Sequence, residues 1–297
     1  MKLMNAPSRN FQRLLIIVIG VFIALSIVHE SKAQKLEQSL LWKIEGKGIQ
    51  PSYVFGTFHL LSQKDFELKE KVKLAFQAAD QIVLELDMDD PGMQMKVMQH
   101  ASMKDGKTLD ELLTDEEYKM IDRVLISTIG AGLRNYNTVK PVVLSSLLLP
   151  TLIDGLPASF ELTLVQMAAE KNKEMFGLES VAEQMQVFDK IPYQDQIDDI
   201  LEIVTERERM QSLFNSMVEV YKMEDVTKMY EMISEYMNGE NELASFLLER
   251  NRNWISRIDK FARQKSSFFG VGAGHIGGNE GVINLLRKEG YTVTAIK

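Results

Sequence analysis

Residues 52–59 read Ser-Tyr-Val-Phe-Gly-Thr-Phe-His, and residues 267–275 read Ser-Phe-Phe-Gly-Val-Gly-Ala-Gly-His. Each is a short apolar run of strand-forming residues that leads into Gly-x-x-His, Gly56 to His59 in the first and Gly272 to His275 in the second. Open α/β sheets bind ligands beyond the carboxyl ends of their strands. If these two strands are parallel neighbours, both imidazoles project into one crevice. The fold and the site are therefore read from the same two stretches.

Working outward from the first, Leu41-Trp42-Lys43-Ile44-Glu45 alternates apolar and polar residues as a half-buried strand does, and Gly46-Lys47-Gly48 is a turn, so 41–55 reads as a hairpin. After His59, Asp65 is placed to cap a helix over 66–79, with Leu68, Val72, Ala75, Phe76 and Ala79 on one face. Gln81 to Asp87 then reads as a buried strand, completing a βαβ unit with parallel strands. Around the second stretch the order repeats. A strand enters the Gly-x-x-His turn, Asn279 is placed to cap a helix carrying Val282, Ile283, Leu285 and Leu286, Gly290 closes it, and 291–296 is a last strand. Between these ends, 88–158 and 181–262 are helical, with breaks at Pro91-Gly92, Gly130-Ala131-Gly132, Pro192 and Gly239. A helix over 160–171, with Leu162, Val165, Ala168 and Ala169 inward, and a short strand 175–179 separate the two helical runs. The expected class is α/β: a central mixed sheet built from the N- and C-terminal segments, with a large helical insertion or cap, as one domain over 34–297.

The first 33 residues read differently. Lys2, Arg9 and Arg13 precede a 15-residue uncharged run, Leu14 to Val28, and Ser31-Lys32-Ala33 offers small residues at a cleavage point after Ala33. That is the pattern of a secretory signal peptide over 1–33, and the run is shorter than the roughly 20 residues of a spanning helix. Retention as an N-terminal membrane anchor is the alternative. Removing Lys2, Arg9, Arg13, Lys32 and Glu30 with the leader takes 34 bases and 42 acids to 30 and 41, a formal charge of −11. Such a surface argues against nucleic acid and against anionic lipid as partners. The chain has no cysteine, which excludes disulfides, thiolate metal sites, a Cys nucleophile and a lipidated Cys.

Four histidines exist: His29 lies in the leader, His100 sits in a Met-rich helical stretch and reads as structural or surface, and His59 and His275 end the two strands. Glycine at Gly56, Gly272 and Gly274 permits close backbone approach to a ligand. Glu85 lies in an otherwise apolar strand, where a carboxylate must be paired, protonated or bound to a cation. It also reads as facing solvent on an edge strand or pairing with a Lys or Arg. Asp87 falls on the same strand face two residues on. Glu179 ends the short strand, where it reads either as a site acid or as the cap of a helix beginning at Ser180. Arg250-Asn251 reads from the residues alone as helix-surface charge, with contact to an anionic substrate as the other reading. Two imidazoles and one or two carboxylates suit Zn, Mn, Fe or Co. The His-Glu-x-x-His zinc signature and the Gly-x-Ser-x-Gly elbow are both absent. The methionines at 88–103 read as gap-fillers rather than soft-metal ligands.

Taken together, LLWKIEGKGIQPSYVFGTFHLL, IVLELD, MFGLESVAEQMQVFDKIP, LLERNRNWISRI and FFGVGAGHIGGNEGVINLLRKEGYTVTAI resemble, in order, the TraB/GumN family, which includes the TIKI metalloproteases. The resemblance implies an active site of His59, His275 and Glu85, joined by Glu179, Arg250 and Asn251, a divalent metal cofactor (Mn, Co or Zn), and a fold similar to erythromycin-esterase and ChaN-like proteins. Where that family often carries Asp in the helix before the GLE segment, this chain has Glu161. The expected function is an exported, periplasmic or extracellular, metal-dependent hydrolase acting on a peptide or protein. The alternative is a non-catalytic envelope protein that binds haem, metal or peptide, which export and acidity fit equally well. An esterase reading rests on fold analogy alone.

Overall fold

The computed structural model describes residues 36–237 and 243–297. The expected leader over 1–33 with its expected cleavage point, His29 and the expected break near Gly239 lie outside the described residues. The hairpin forms where its pattern requires. β1 (Leu41–Glu45) pairs antiparallel with β2 (Ser52–Thr57) through a turn in which Gly46, Lys47 and Gly48 all take positive φ. Two further short strands, β3 (Leu61–Ser62) and β5 (Pro157–Ala158), make a separate antiparallel pair. The remaining strands, β4 (Gln81–Leu84), β6 (Glu174–Gly177), β7 (Ser267–Gly272) and β8 (Thr292–Ile296), join the hairpin in one sheet of order β6-β4-β7-β2-β1-β8.

The sheet is mixed, as its two-ended origin suggests. β6, β4, β7 and β2 run parallel, and β1 runs against both β2 and β8. β7 inserts between β2 and β4, so the C-terminal segment completes the N-terminal βαβ unit. Its register sets Gly56 opposite Val271 and Thr57 opposite Gly272. The two Gly-x-x-His turns thus leave neighbouring strands at the same edge.

Twelve described α-helices surround the sheet or form the insertion: α1 (Glu70–Ala78), α2 (Met93–Ala101), α3 (Leu109–Leu112), α4 (Asp115–Ile129), α5 (Pro141–Leu148), α6 (Phe160–Lys171), α7 (Val181–Phe188), α8 (Tyr193–Thr205), α9 (Arg207–Lys222), α10 (Val226–Tyr236), α11 (Glu249–Gln264) and α12 (Val282–Lys288). Gly130, left-handed at φ 75°, ends α4, and Pro141 opens α5. The core has two parts. One packs the sheet, with Trp42, Phe76, Phe268, Phe269 and Trp254 fully buried, and each buried aromatic of this kind contributes about 1.5–3 kcal/mol. The other lies within the helical insertion, where Leu109, Leu125, Leu144, Ile197 and Ile200 meet.

Several local expectations are corrected. The first helix starts at Glu70, not at 66, because the Asp65 and Phe66 amides close a turn on the Ser62 carbonyl and the Asp65 carboxylate pairs with Lys222 at 3.1 Å. On α6 the buried stripe is Phe160, Leu164 and Ala168, while Leu162 and Ala169 are exposed. Phe160 fixes that rotation by stacking against Phe55, Phe66 and Tyr221. The short strand is Glu174–Gly177 rather than 175–179, and the cap of α12 is Gly281 rather than Asn279. Of the methionines at 88–103, Met103 is buried, whereas Met95 and Met98 are exposed.

Candidate functional site

The candidate residues are delivered by the ends of parallel strands and by one helix lying across those ends, with a second helix supplying the partner of His59. β4 stops at Leu84, so Glu85 stands one residue beyond the strand that was expected to contain it. The ladder ends there because the Gly272 amide donates to Glu85 Oε1 at 2.7 Å, a side-chain acceptor in place of a strand carbonyl. Glu179 reaches the same depth from β6. The Leu178 and Glu179 amides donate to the Leu84 and Glu85 carbonyls at 2.7 and 2.9 Å, binding the two turns together. Ser180, not Glu179, caps α7, in a capping box with Glu183. Asp87 does not share a strand face with Glu85, since the strand has ended. It is half-buried in the following turn, where desolvation and the neighbouring Asp89 raise its pKa to about 6.

Arg250 and Asn251 are not surface charge. They are 6% and 0% exposed, on the inner face of α11. A helix with ERNRNW at its start looks polar all round, but its buried stripe of Arg250, Asn251, Trp254 and Ile258 faces the site acids. The guanidinium donates from Nη2 to Glu85 Oε2 and to Glu179 Oε1, both at 2.6 Å, and from Nε to Glu179 at 3.1 and 3.2 Å. Its Nη1 donates to His275 Nε2 at 3.1 Å and to the Phe246 carbonyl at 3.3 Å. Glu179 also accepts from Trp254 Nε1 and Gln184 Nε2, each at 3.1 Å.

The tautomer of His275 follows from this network. Asn251 Nδ2 donates to the Glu280 carbonyl at 2.8 Å, which turns its Oδ1 toward His275 Nδ1 at 2.6 Å. An amide oxygen only accepts, so Nδ1 carries the hydrogen and Nε2 presents its lone pair. Desolvation, then the Arg250 charge, depress the His275 pKa to about 3, with Glu85 pulling the other way. The ring is neutral near pH 7, so the 3.9 Å approach of its Nε2 to Glu85 Oε1 is not an ion pair there. Glu85 is held ionised, at about 2: burial opposes the charge, but Arg250 and the histidines outweigh it.

His59 is arranged alike. Its Nδ1 lies 2.8 Å from Glu161 Oε1, and Glu161 Oε2 accepts from the Ser159 hydroxyl at 2.9 Å. Glu161 sits in the first turn of α6, where the helix dipole favours a carboxylate. Desolvation disfavours a charged His59, but Glu161 and then Glu85 outweigh it and raise the pKa to about 9. The His59 side chain keeps 65% of its surface open, so water screens that pair. Glu161, noticed in the sequence only as a departure from a family pattern, is thus the partner of a site histidine 102 positions away.

A single point shows the convergence. A Cβ placed on Gly272 would lie 3.3 Å from Glu85 Oε1, 3.3 Å from His59 Nε2 and 3.6 Å from His275 Cδ2. Gly56 is packed against Ala273 and Ile276, and a Cβ on Gly274 would run into Ile233. The structure brings His59, His275, Glu85, Glu179, Arg250 and Asn251 together, and leaves His100 exposed on α2 with no part in the group. The donors fit a divalent ion in kind: two imidazoles whose Nδ1 atoms are each fixed by an acceptor, as ligating histidines are, and one ionised carboxylate. As the side chains stand, no three His, Asp or Glu among the described residues form a metal-holding group, and Arg250 bridges two of the three candidate donors.

These features define an α/β protein with a buried His–Glu–Arg centre at the carboxyl edge of its parallel strands. The chain belongs to the TraB/PrgY/gumN family, whose profile matches residues 40–295. Among curated proteins, Metalloprotease TIKI2 of Danio rerio is 24% identical over 88% of this chain and 61% of its own length. Metalloprotease TIKI1 of Xenopus tropicalis is 26% identical over 89% and 62%, and that of Homo sapiens 25% over 89% and 63%. The chain therefore spans about three-fifths of the length of these relatives. No solved structure is significantly similar to it. Among the described residues, no helix is long and apolar enough to cross a membrane.

Proposed function

We propose that this chain is an exported, metal-dependent hydrolase of peptides or proteins, working in the periplasm or outside the cell after loss of its leader. The observation that carries the reading is the convergence beside Gly272 of His59 Nε2, the His275 ring and Glu85 Oε1, with both Nδ1 atoms fixed by acceptors. His59, His275 and Glu85 would hold a divalent ion of the Mn, Co or Zn type. Such an ion would supply Lewis acidity toward a carbonyl and toward water. Asn251 and Glu161 act as positioning residues that fix the two rings, and Glu179 steadies Arg250 beside Glu85. The relatives, named as metalloproteases, support the peptide substrate class. The acidic surface supports the absence of nucleic acid among its partners.

The test is the metal content of the purified protein, with cleavage of a peptide library by wild type, His59→Ala and His275→Ala. Bound Mn, Co or Zn and peptide cleavage, both lost in the two variants, are expected. A protein that neither takes up nor responds to these ions sinks the reading. Bound metal or haem with no substrate ever cut would replace it with an envelope binding role.

A further inference from the structure

Glu85 and Glu179 are buried together, and two carboxylates in that position cannot both remain ionised without a cation between them. Arg250 is that cation. Its five N–H groups are all engaged: Nε on Glu179, Nη2 on Glu179 and Glu85, Nη1 on His275 Nε2 and the Phe246 carbonyl. Its faces lie over Trp254 and Phe246, with the guanidinium carbon 4.8 and 5.9 Å from the ring centres. An imidazole nitrogen has one lone pair. While Nη1 donates to His275 Nε2, no ion can take that atom, and the hydrogen bond to Glu85 draws off part of the carboxylate as well.

We propose that Arg250 is a resident counter-cation that keeps the centre assembled without metal and that must release His275 and Glu85 before a divalent ion can bind. The inference rests on the metal reading above and adds a regulated, two-occupant character to the same site. The attachments of Arg250 are unequal in a way that suits release. Glu179 holds it through both Nε and Nη2, and Glu179 is itself fixed by Trp254 and Gln184. His275 and Glu85 each hold it by one hydrogen bond. The residues just before α11, Ala244–Leu248, form a π-helical turn, and the Phe246 carbonyl that accepts from Nη1 belongs to it. Turns of that kind recur where a helix serves a site.

The experiment is calorimetric titration of Mn²⁺ and Co²⁺ into metal-free wild type and Arg250→Gln, with thermal melting of both proteins with and without the ion. The expected result is at least tenfold tighter binding by Arg250→Gln, with a lower melting temperature than wild type in the absence of ion that recovers when ion is added. Equal or weaker binding by a folded Arg250→Gln, or a melting deficit that ion does not repair, would overturn the proposal. If Arg250→Gln does not fold even with ion present, the wild type decides. The ¹⁵N-labelled Arg250 Nη signals must shift when diamagnetic Zn²⁺ binds, and unchanged signals in the Zn²⁺-loaded protein count against release. Peptide cleavage is read separately, in wild type alone, as the test of the hydrolase reading. Wild type that binds metal and cuts peptide, beside an Arg250→Gln that binds no tighter, removes this inference and leaves the hydrolase reading intact.

Discussion

His275 donates its Nδ1 hydrogen to Oδ1 of Asn251 across 2.6 Å, joining the turn after β7 to the first turn of α11. The Asn251 amide is itself oriented by the Glu280 carbonyl. This relay fixes which nitrogen of His275 faces the centre. Replacing Asn251 with Ala leaves a buried Nδ1–H without its acceptor and lets the ring choose the other tautomer, which removes the lone pair from the site. Loss of such an orienting partner typically lowers metal affinity about 10–100-fold, and the orphaned donor costs about 1–3 kcal/mol of stability. Titration of Co²⁺ followed by visible absorption, together with urea unfolding, checks both. Wild-type affinity in Asn251→Ala would show that the relay does not govern the ring.

The second histidine offers a spectroscopic prediction. Glu161 is the main favourable influence on the charged form of His59, which has a folded pKa of about 9. In Glu161→Gln the Nδ1–H keeps an acceptor but loses the charge, so the His59 pKa falls toward its ordinary value near 6.5. In the metal-free wild type the pair stabilises the fold below pH 6.5, and that contribution is lost as pH rises through about 9. Titration of the His59 Cε1–H signal by NMR reads the shift directly. An unchanged titration midpoint in the variant contradicts the assignment of Glu161 as its partner.

The two strand-to-His turns were legible because strand chemistry followed by Gly-x-x-His is local, and the parallel pairing of β2 with β7 then followed from a shared topology. The acids were legible for a related reason: a charge among Ile82, Val83 and Leu84 demands a partner. What that partner is was not legible from the residues alone. Arg250 reads as surface charge because burial of an Arg is decided by Glu85 and Glu179, which lie 165 and 71 positions away. Glu161 was hidden in the same way, since nothing in the first turn of α6 reports that His59 lies against it. Helix boundaries failed where side chains had other engagements, as Asp65 does with Lys222. Periodicity finds faces of elements, whereas ion pairs across the chain belong to the assembled fold.

Acid sensitivity has a traceable source at the base of the Glu179 turn. Arg257 donates to Glu183 and to the Leu178 carbonyl, and its hydrogen bond is the largest influence lowering the Glu183 pKa from 4.5 to about 2. A depressed carboxylate adds stability above its unfolded pKa and loses it as pH falls toward the folded value. The contribution is therefore complete above about pH 4.5 and gone near pH 2. Glu183→Gln should be less stable than wild type at pH 7, and the two urea midpoints should converge as pH falls from 4.5 toward 2. Parallel midpoints across that range would assign the acid response elsewhere.

Gly272 allows the convergence itself to be probed without removing any polar group. Its φ of −53° and ψ of 137° are open to any residue, so Ala at this position meets no backbone strain. Reduced freedom in the unfolded chain offsets some of the crowding, by about 0.4–1 kcal/mol. The added methyl would stand 3.3 Å from Glu85 Oε1 and 3.3 Å from His59 Nε2, tight enough that those atoms must give way by tenths of an ångström. A coordination shell tolerates such displacement poorly, because ligand distances hold to within about 0.2 Å. Gly272→Ala should therefore melt within a few degrees of wild type yet bind Mn²⁺ or Co²⁺ at least tenfold more weakly. An Ala variant with wild-type affinity would show that the ion, if one binds, is not held at the point where these atoms converge.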